Sequence, residues 1–127
     1  MIATPTGEVP VESLQIGDFV LSPGLAGTNV ASRIRNIFHT TSPGYLLING
    51  QLRVTRSHPF ASKGTWREAR ALSVGDEVQG RIAPIRVNSI EFVNKGVRVY
   101  NLNVDGSHTF FVDGFLVHNK DGYEQNP

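Results

Sequence analysis

No cysteine occurs among the 127 residues. That excludes a disulfide framework and a thiolate nucleophile, and removes any redox clue to compartment. Charge of one sign is also missing: 12 Lys and Arg oppose 11 Asp and Glu. The arginines are scattered, at Arg33, Arg53, Arg67, Arg81 and Arg98 among others, without a basic run. Nucleic acid and anionic membranes are therefore not expected partners. No apolar stretch approaches the roughly 20 residues that span a bilayer, and the first residues show no signal-peptide pattern. Nothing in the sequence names a compartment. The four histidines include no pair at a helical ligand spacing, so no metal or other cofactor is expected.

What is present reads as β structure in one domain, expected to be monomeric and to bury about two-thirds of its unfolded surface. Thirteen glycines and seven prolines cut the chain into short segments of alternating or clustered apolar residues. Residues 18–22 predict a strand, and 30–38 an extended segment with a bend or bulge. Tyr45–Ile48 and Gln51–Thr55 flank Asn49-Gly50, a type I′ signal that predicts Leu47 opposite Leu52 and Leu46 opposite Arg53. Segments 85–93 and 97–104 are expected to pair around Asn94-Lys95-Gly96. Helical signals are limited to a turn before Leu14 and another before Leu72.

The chain repeats itself. Leu14-Gln15-Ile16-Gly17-Asp18-Phe19-Val20 recurs as Leu72-Ser73-Val74-Gly75-Asp76-Glu77-Val78. His58-Pro59-Phe60 with Gly64 recurs as His108-Thr109-Phe110 with Gly114. One Gly-Asp turn is common, but two motifs recurring in parallel order point to duplication. The expectation is two interlocked β subdomains related by a pseudo-twofold, with the chain ends close together.

The last hairpin carries the chemistry. Thr109–Val112 and Phe115–His118 are separated by Asp113-Gly114, a preferred type I′ pair. A two-residue loop sets Thr109 opposite His118, and one further step sets His108 opposite Asn119. Opposed residues have Cβ atoms roughly 4.5–5.5 Å apart. Two imidazoles thus converge on an asparagine whose side-chain nitrogen can close a succinimide on its own carbonyl and expel the next residue. An amide is a poor nucleophile and an amine a poor leaving group, so both ends need proton transfer. Histidine, with an ordinary pKa of about 6.5, is suited to that. The plainer alternative is that both histidines only cap the hairpin.

Four passages resemble the Hint family of hedgehog autoprocessing domains, inteins, bacterial intein-like domains and pretoxin modules. Thr4-Pro5-Thr6-Gly7 through Gly17-Asp18 to Ser22 is similar to the N-terminal block. Thr55-Arg56-Ser57-His58-Pro59-Phe60 is similar to the Thr-x-x-His block. Trp66 to Leu72, leading into Gly75-Asp76, resembles the middle of bacterial Hint domains. Val99–Leu102 with His108–Val112 and Val117-His118-Asn119 resembles the C-terminal blocks. The resemblance implies an all-β, disc-like Hint fold over residues 1–119, with its N-terminal strand truncated and 120–127 a flanking tail. It implies that Asn119 cyclises with His118 assisting, and that His108 acts as proton shuttle or donor. Thr55 and His58 would polarise and protonate an N-terminal scissile amide; from the residues alone they could equally cap a turn before Pro59.

Three departures shape the functional expectation. Met1 stands where the family's Cys- or Ser-led strand would already be under way, and a thioether cannot form a thioester. Asn101 replaces an aspartate found in many splicing members. Lys120, an ammonium with an ordinary pKa of about 10.4, replaces the Cys, Ser or Thr acceptor. The expected function is autocatalytic, intein-like self-processing without turnover, with cleavage after Asn119 the step still open. The partners would be the chain's own flanking segments, or a short N-terminal peptide in trans as in a split intein. The competing expectation is an inactive β scaffold or spacer.

Overall fold

The structure is a computed structural model that describes residues 1–119, so the expected tail 120–127 lies outside the described residues. The strands are β1 (Ile2–Thr4), β2 (Gly7–Val9), β3 (Phe19–Pro23), β4 (Asn29–Ser42), β5 (Tyr45–Ile48), β6 (Leu52–Val54) and β7 (Pro59–Ser62). They continue as β8 (Thr65–Glu68), β9 (Glu77–Val78), β10 (Ile85–Arg86), β11 (Ile90–Val93), β12 (Val97–Val104), β13 (Thr109–Val112) and β14 (Phe115–His118). A six-stranded sheet runs β2-β1-β13-β14-β7-β8, beside the smaller sheets β11-β5-β6, β12-β4-β3 and β10-β9. Pairing is antiparallel throughout these sheets. The fold is all-β, with short helical turns at Val11–Ser13 and Ala69–Ala71, ahead of Leu14 and Leu72, and a third, not expected from the sequence, at Leu25–Gly27.

The repeated heptads fold alike, hydrogen bond for hydrogen bond. Asp18 N–H donates to Gln15 O and Asp76 N–H to Ser73 O, each at 3.0 Å. The aspartate carboxylates accept from Gln15 N–H at 2.9 Å and Ser73 N–H at 2.8 Å. Gly17 and Gly75, at φ 96 and 99, turn their N–H groups to Ile34 O and Val87 O. Val20, Val78, Ile34 and Val87 are all fully buried. Each Gly-Asp unit is thus a side-chain-closed turn that clamps one core residue, Ile34 or Val87. The second motif pair repeats as hairpins, with Lys63-Gly64 and Asp113-Gly114 at positive φ in both turns.

The sequence expectation fails at two pairings and one placement. Asn49-Gly50 does adopt positive φ, and Gln51 N–H reaches Ile48 O at 3.1 Å, but the ladder resumes as Ile48 opposite Leu52 and Leu46 opposite Val54. That register keeps Leu46, Ile48, Leu52 and Val54 all in the core, which outweighs a two-residue loop. Segments 85–93 and 97–104 do not pair: β11 joins β5, and β12 joins β4. The fourteen-residue β4 is long enough to give every residue of β12, from Val97 to Val104, a ladder partner. Finally, Met1 lies at the turn of the β13–β14 hairpin, donating to Asp113 at 3.2 Å, whereas Asn119 lies at its open end. The described chain ends are therefore separated by the hairpin's length, because β1 runs antiparallel to β13.

Candidate active site

The β13–β14 hairpin has the expected register, Thr109 opposite His118 through Val112 opposite Phe115. One step on, Asn119 N–H donates to His108 O at 2.8 Å. His108 itself sits at φ 61, a left-handed conformation uncommon outside glycine, at the end of the loop from β12. The Asn119 side chain is fully buried. Its Nδ2 donates to Asn103 Oδ1 at 3.0 Å, and its Oδ1 accepts from Val104 N–H at 3.4 Å. Those two partners distinguish the amide's nitrogen from its oxygen.

Val104 occupies a register irregularity: Asn103 pairs with Asn36, but Val104 pairs with Ile34. A bulge of this kind re-aims backbone groups. Here Val104 O also lies 2.9 Å from His108 Nδ1. His118 Nδ1 lies 2.8 Å from Asn119 O. Carbonyl oxygens only accept, so both imidazoles carry their proton on Nδ1 in this network. The 3.4 Å approach of His108 Nδ1 to Asn119 Nδ2 is then a contact between two donors. His118 is flanked by the His108 ring, centroids 6.2 Å apart, and by Trp66, 5.0 Å away with rings inclined at 69°.

Thr55 and His58 form a neighbouring group. His58 is buried, edge-on to Phe60 at 6.2 Å, and its N–H closes a turn on Thr55 O at 3.2 Å. Both line a groove of about 470 Å³, together with Asn101 and, toward its far end, Met1 and Asp113. His108, His118 and Asn119 do not line it. The five candidate residues therefore form two adjoining groups: His108, His118 and Asn119 at the open end of the hairpin, and Thr55 with His58 in the groove. They are joined by the pairing of Phe60 with Val117, each two residues from His58 and Asn119 at the same end of antiparallel strands. Asn103 and Val104 are contributors that sequence reading missed. The available signal was alternation along β12, which puts Asn103 on the same side as Asn101.

A family model described as the pretoxin Hint domain matches residues 1–123. The chain belongs to the pretoxin Hint domain family. Among solved structures, the solution structure of a bacterial intein-like domain from Clostridium thermocellum is 29% identical, with 94% of each chain covered and a TM-score of 0.82. The crystal structure of the gp41-1 intein is 21% identical, covering 93% of this chain and 92% of that one, at TM-score 0.75. The Ssp DnaB mini-intein variant M86 is 17% identical, covering 93% and 89%, at TM-score 0.78. These last two show the shared Hint fold. A DNA polymerase of Thermococcus aggregans is 36% identical over 79 residues, 55% of this chain. One from Thermococcus sp. (strain GE8) is 28% identical over 105 residues, 69% of this chain. The pretoxin Hint chain spans only 4% and 6% of those two proteins. This kinship supports self-processing in general, on flanking polypeptide.

Proposed function

We propose that this pretoxin Hint domain cleaves its own chain after Asn119 by cyclisation of that asparagine. The observation that carries the reading is the His118 Nδ1–H donor 2.8 Å from the Asn119 carbonyl oxygen. In the step, Asn119 Nδ2 bonds to its own carbonyl carbon and the bond from that carbon to the Lys120 nitrogen breaks. Nδ2 gives up one proton, and the departing Lys120 amine takes one up. Charge builds on the carbonyl oxygen in between, where a preset donor is most useful. His108 holds its Nδ1–H on Val104, which leaves Nε2 as the ring nitrogen able to take up or give a proton. Each chain reacts once, so there is no turnover. Lys120 is not an acyl acceptor, which favours cleavage over splicing.

The groove supports a companion reading for Thr55 and His58. The open edges of β6 and β12 both line it, the setting for strand addition. Its occupant would be an extended segment bearing Cys or Ser, continuous with Met1 or supplied in trans. From Asp113 to His108 the hairpin measures roughly 15–20 Å, which five or six extended residues span. The nucleophile would then meet Thr55 and His58.

Intact-mass spectrometry near neutral pH tests the C-terminal step. Wild type should lose the eight residues Lys120–Pro127, and Asn119→Ala should not. Equal persistence of both chains would leave the scaffold reading standing.

A further inference from the structure

We propose that Trp66 is the positioning residue of His118, holding the imidazole so that Nδ1 stays on the Asn119 carbonyl. The inference rests on the self-cleavage reading and extends it to a residue on a different hairpin. Trp66 lies on β8, at the edge of the six-stranded sheet, and is 44% exposed. A large indole left half in solvent calls for a reason, and its ring meets His118 rather than the core. Val117 pairs with Phe60 and Phe60 with Arg67, so His118 and Trp66, each one residue away, share the opposite face. Ala61, directly across from Trp66, carries only a methyl there and leaves the indole a path over β7 toward β14.

The contact geometry, centroids 5.0 Å apart and rings inclined at 69°, is the edge-to-face arrangement aromatic pairs prefer. The torsion that orients an imidazole is intrinsically broad. Against the indole on one side and His108 on the other, the ring is held in one setting. Neighbouring charges are engaged elsewhere: Arg67 and Lys63 with Asp76 at 3.2 and 3.4 Å, Glu68 with Arg70 at 2.7 Å. The titratable group facing His118 from the β12–β13 loop is His108.

Trp66 is the chain's single tryptophan, so its emission reads the contact directly. A protonated imidazole in contact quenches indole emission. In the full chain, emission should step down when acid protonates the contacting imidazole. His118→Gln should remove the step, and His39→Gln, beside Tyr100 instead, should keep it. Release of Lys120–Pro127 should slow about 3–10-fold in Trp66→Ala, from the value of an aromatic pair. Trp66→Phe should recover most of the rate, with the thermal midpoint of each variant as the folding control. An emission step that survives in His118→Gln, or a folded Trp66→Ala that cleaves at the wild-type rate, overturns the inference. If no chain cleaves but the step still depends on His118, the self-cleavage reading alone fails.

Discussion

His118 Nδ1 and the Asn119 carbonyl oxygen are 2.8 Å apart, one residue's side chain resting on the next residue's peptide group. β14 ends at His118, and beyond the Asn119 N–H bond to His108 O the Asn119 carbonyl turns to the His118 imidazole. It does so where Asn119 turns its side chain inward to Asn103 and Val104. In the proposed cyclisation, one donor thus addresses the oxygen while the amide is fixed separately.

If that donor serves the developing oxyanion, His118→Ala should slow release of Lys120–Pro127 by about 10²–10³-fold. Thermal unfolding should change little, since His118 is only half-buried. A time course of the released fragment checks the rate, and calorimetry checks the fold.

Asn103 should matter through orientation. Asn103→Ala removes the acceptor of Asn119 Nδ2 and should cost about 1 kcal/mol of stability, measured by urea unfolding. Cleavage should fall on the order of tenfold, because a misoriented amide no longer meets its carbonyl. Asn103→Asp keeps an oxygen acceptor and should cleave faster than Asn103→Ala.

The register of the last hairpin depends on its turn. Gly114 has φ 84, and a Cβ there would meet Ile85 Cδ1 at an ordinary 3.6 Å, so space is not the obstacle. Gly114→Ala should still destabilise by about 1–2 kcal/mol through left-handed strain. Exchange of the Asn119 amide proton, bonded to His108 O, should accelerate in that variant.

Asp76 gives the fold an acid-sensitive point. The Ser73 N–H bond chiefly holds its carboxyl below the ordinary range, aided by Lys63 and Arg67 and opposed by desolvation. A lowered folded-state value means the stabilisation is complete above about pH 4, the unfolded carboxyl's range. It is lost as pH falls through the folded-state value. Asp76→Asn should therefore lower the urea midpoint at pH 7, and the gap from wild type should close below about pH 4.

The sequence made the local features legible where one interaction decides them. Asp113-Gly114 set its register because a two-residue loop and the apolar pattern agree there. The Gly-Asp repeats were readable because both turns close through their own aspartate. Asn49-Gly50 misled because loop length and core pattern disagreed, and burial of Leu46, Ile48, Leu52 and Val54 prevailed. The Asn49 side chain adds a long-range tie, accepting from Asn88 N–H at 2.7 Å and donating to Arg86 O at 2.9 Å. At the site, His108, His118 and Asn119 followed from one hairpin. Asn103, Val104 and Trp66 did not, because a bulge and a strand two places away in the sheet bring them in.

The central claim is tested most directly by the mass of the large fragment released from the wild-type chain near neutral pH. Cyclisation of Asn119 predicts a fragment ending at residue 119 that is one water lighter than the corresponding acid, and slowly converts to it. A fragment that carries the full acid mass from its first appearance, or that forms equally from Asn119→Ala, would contradict it.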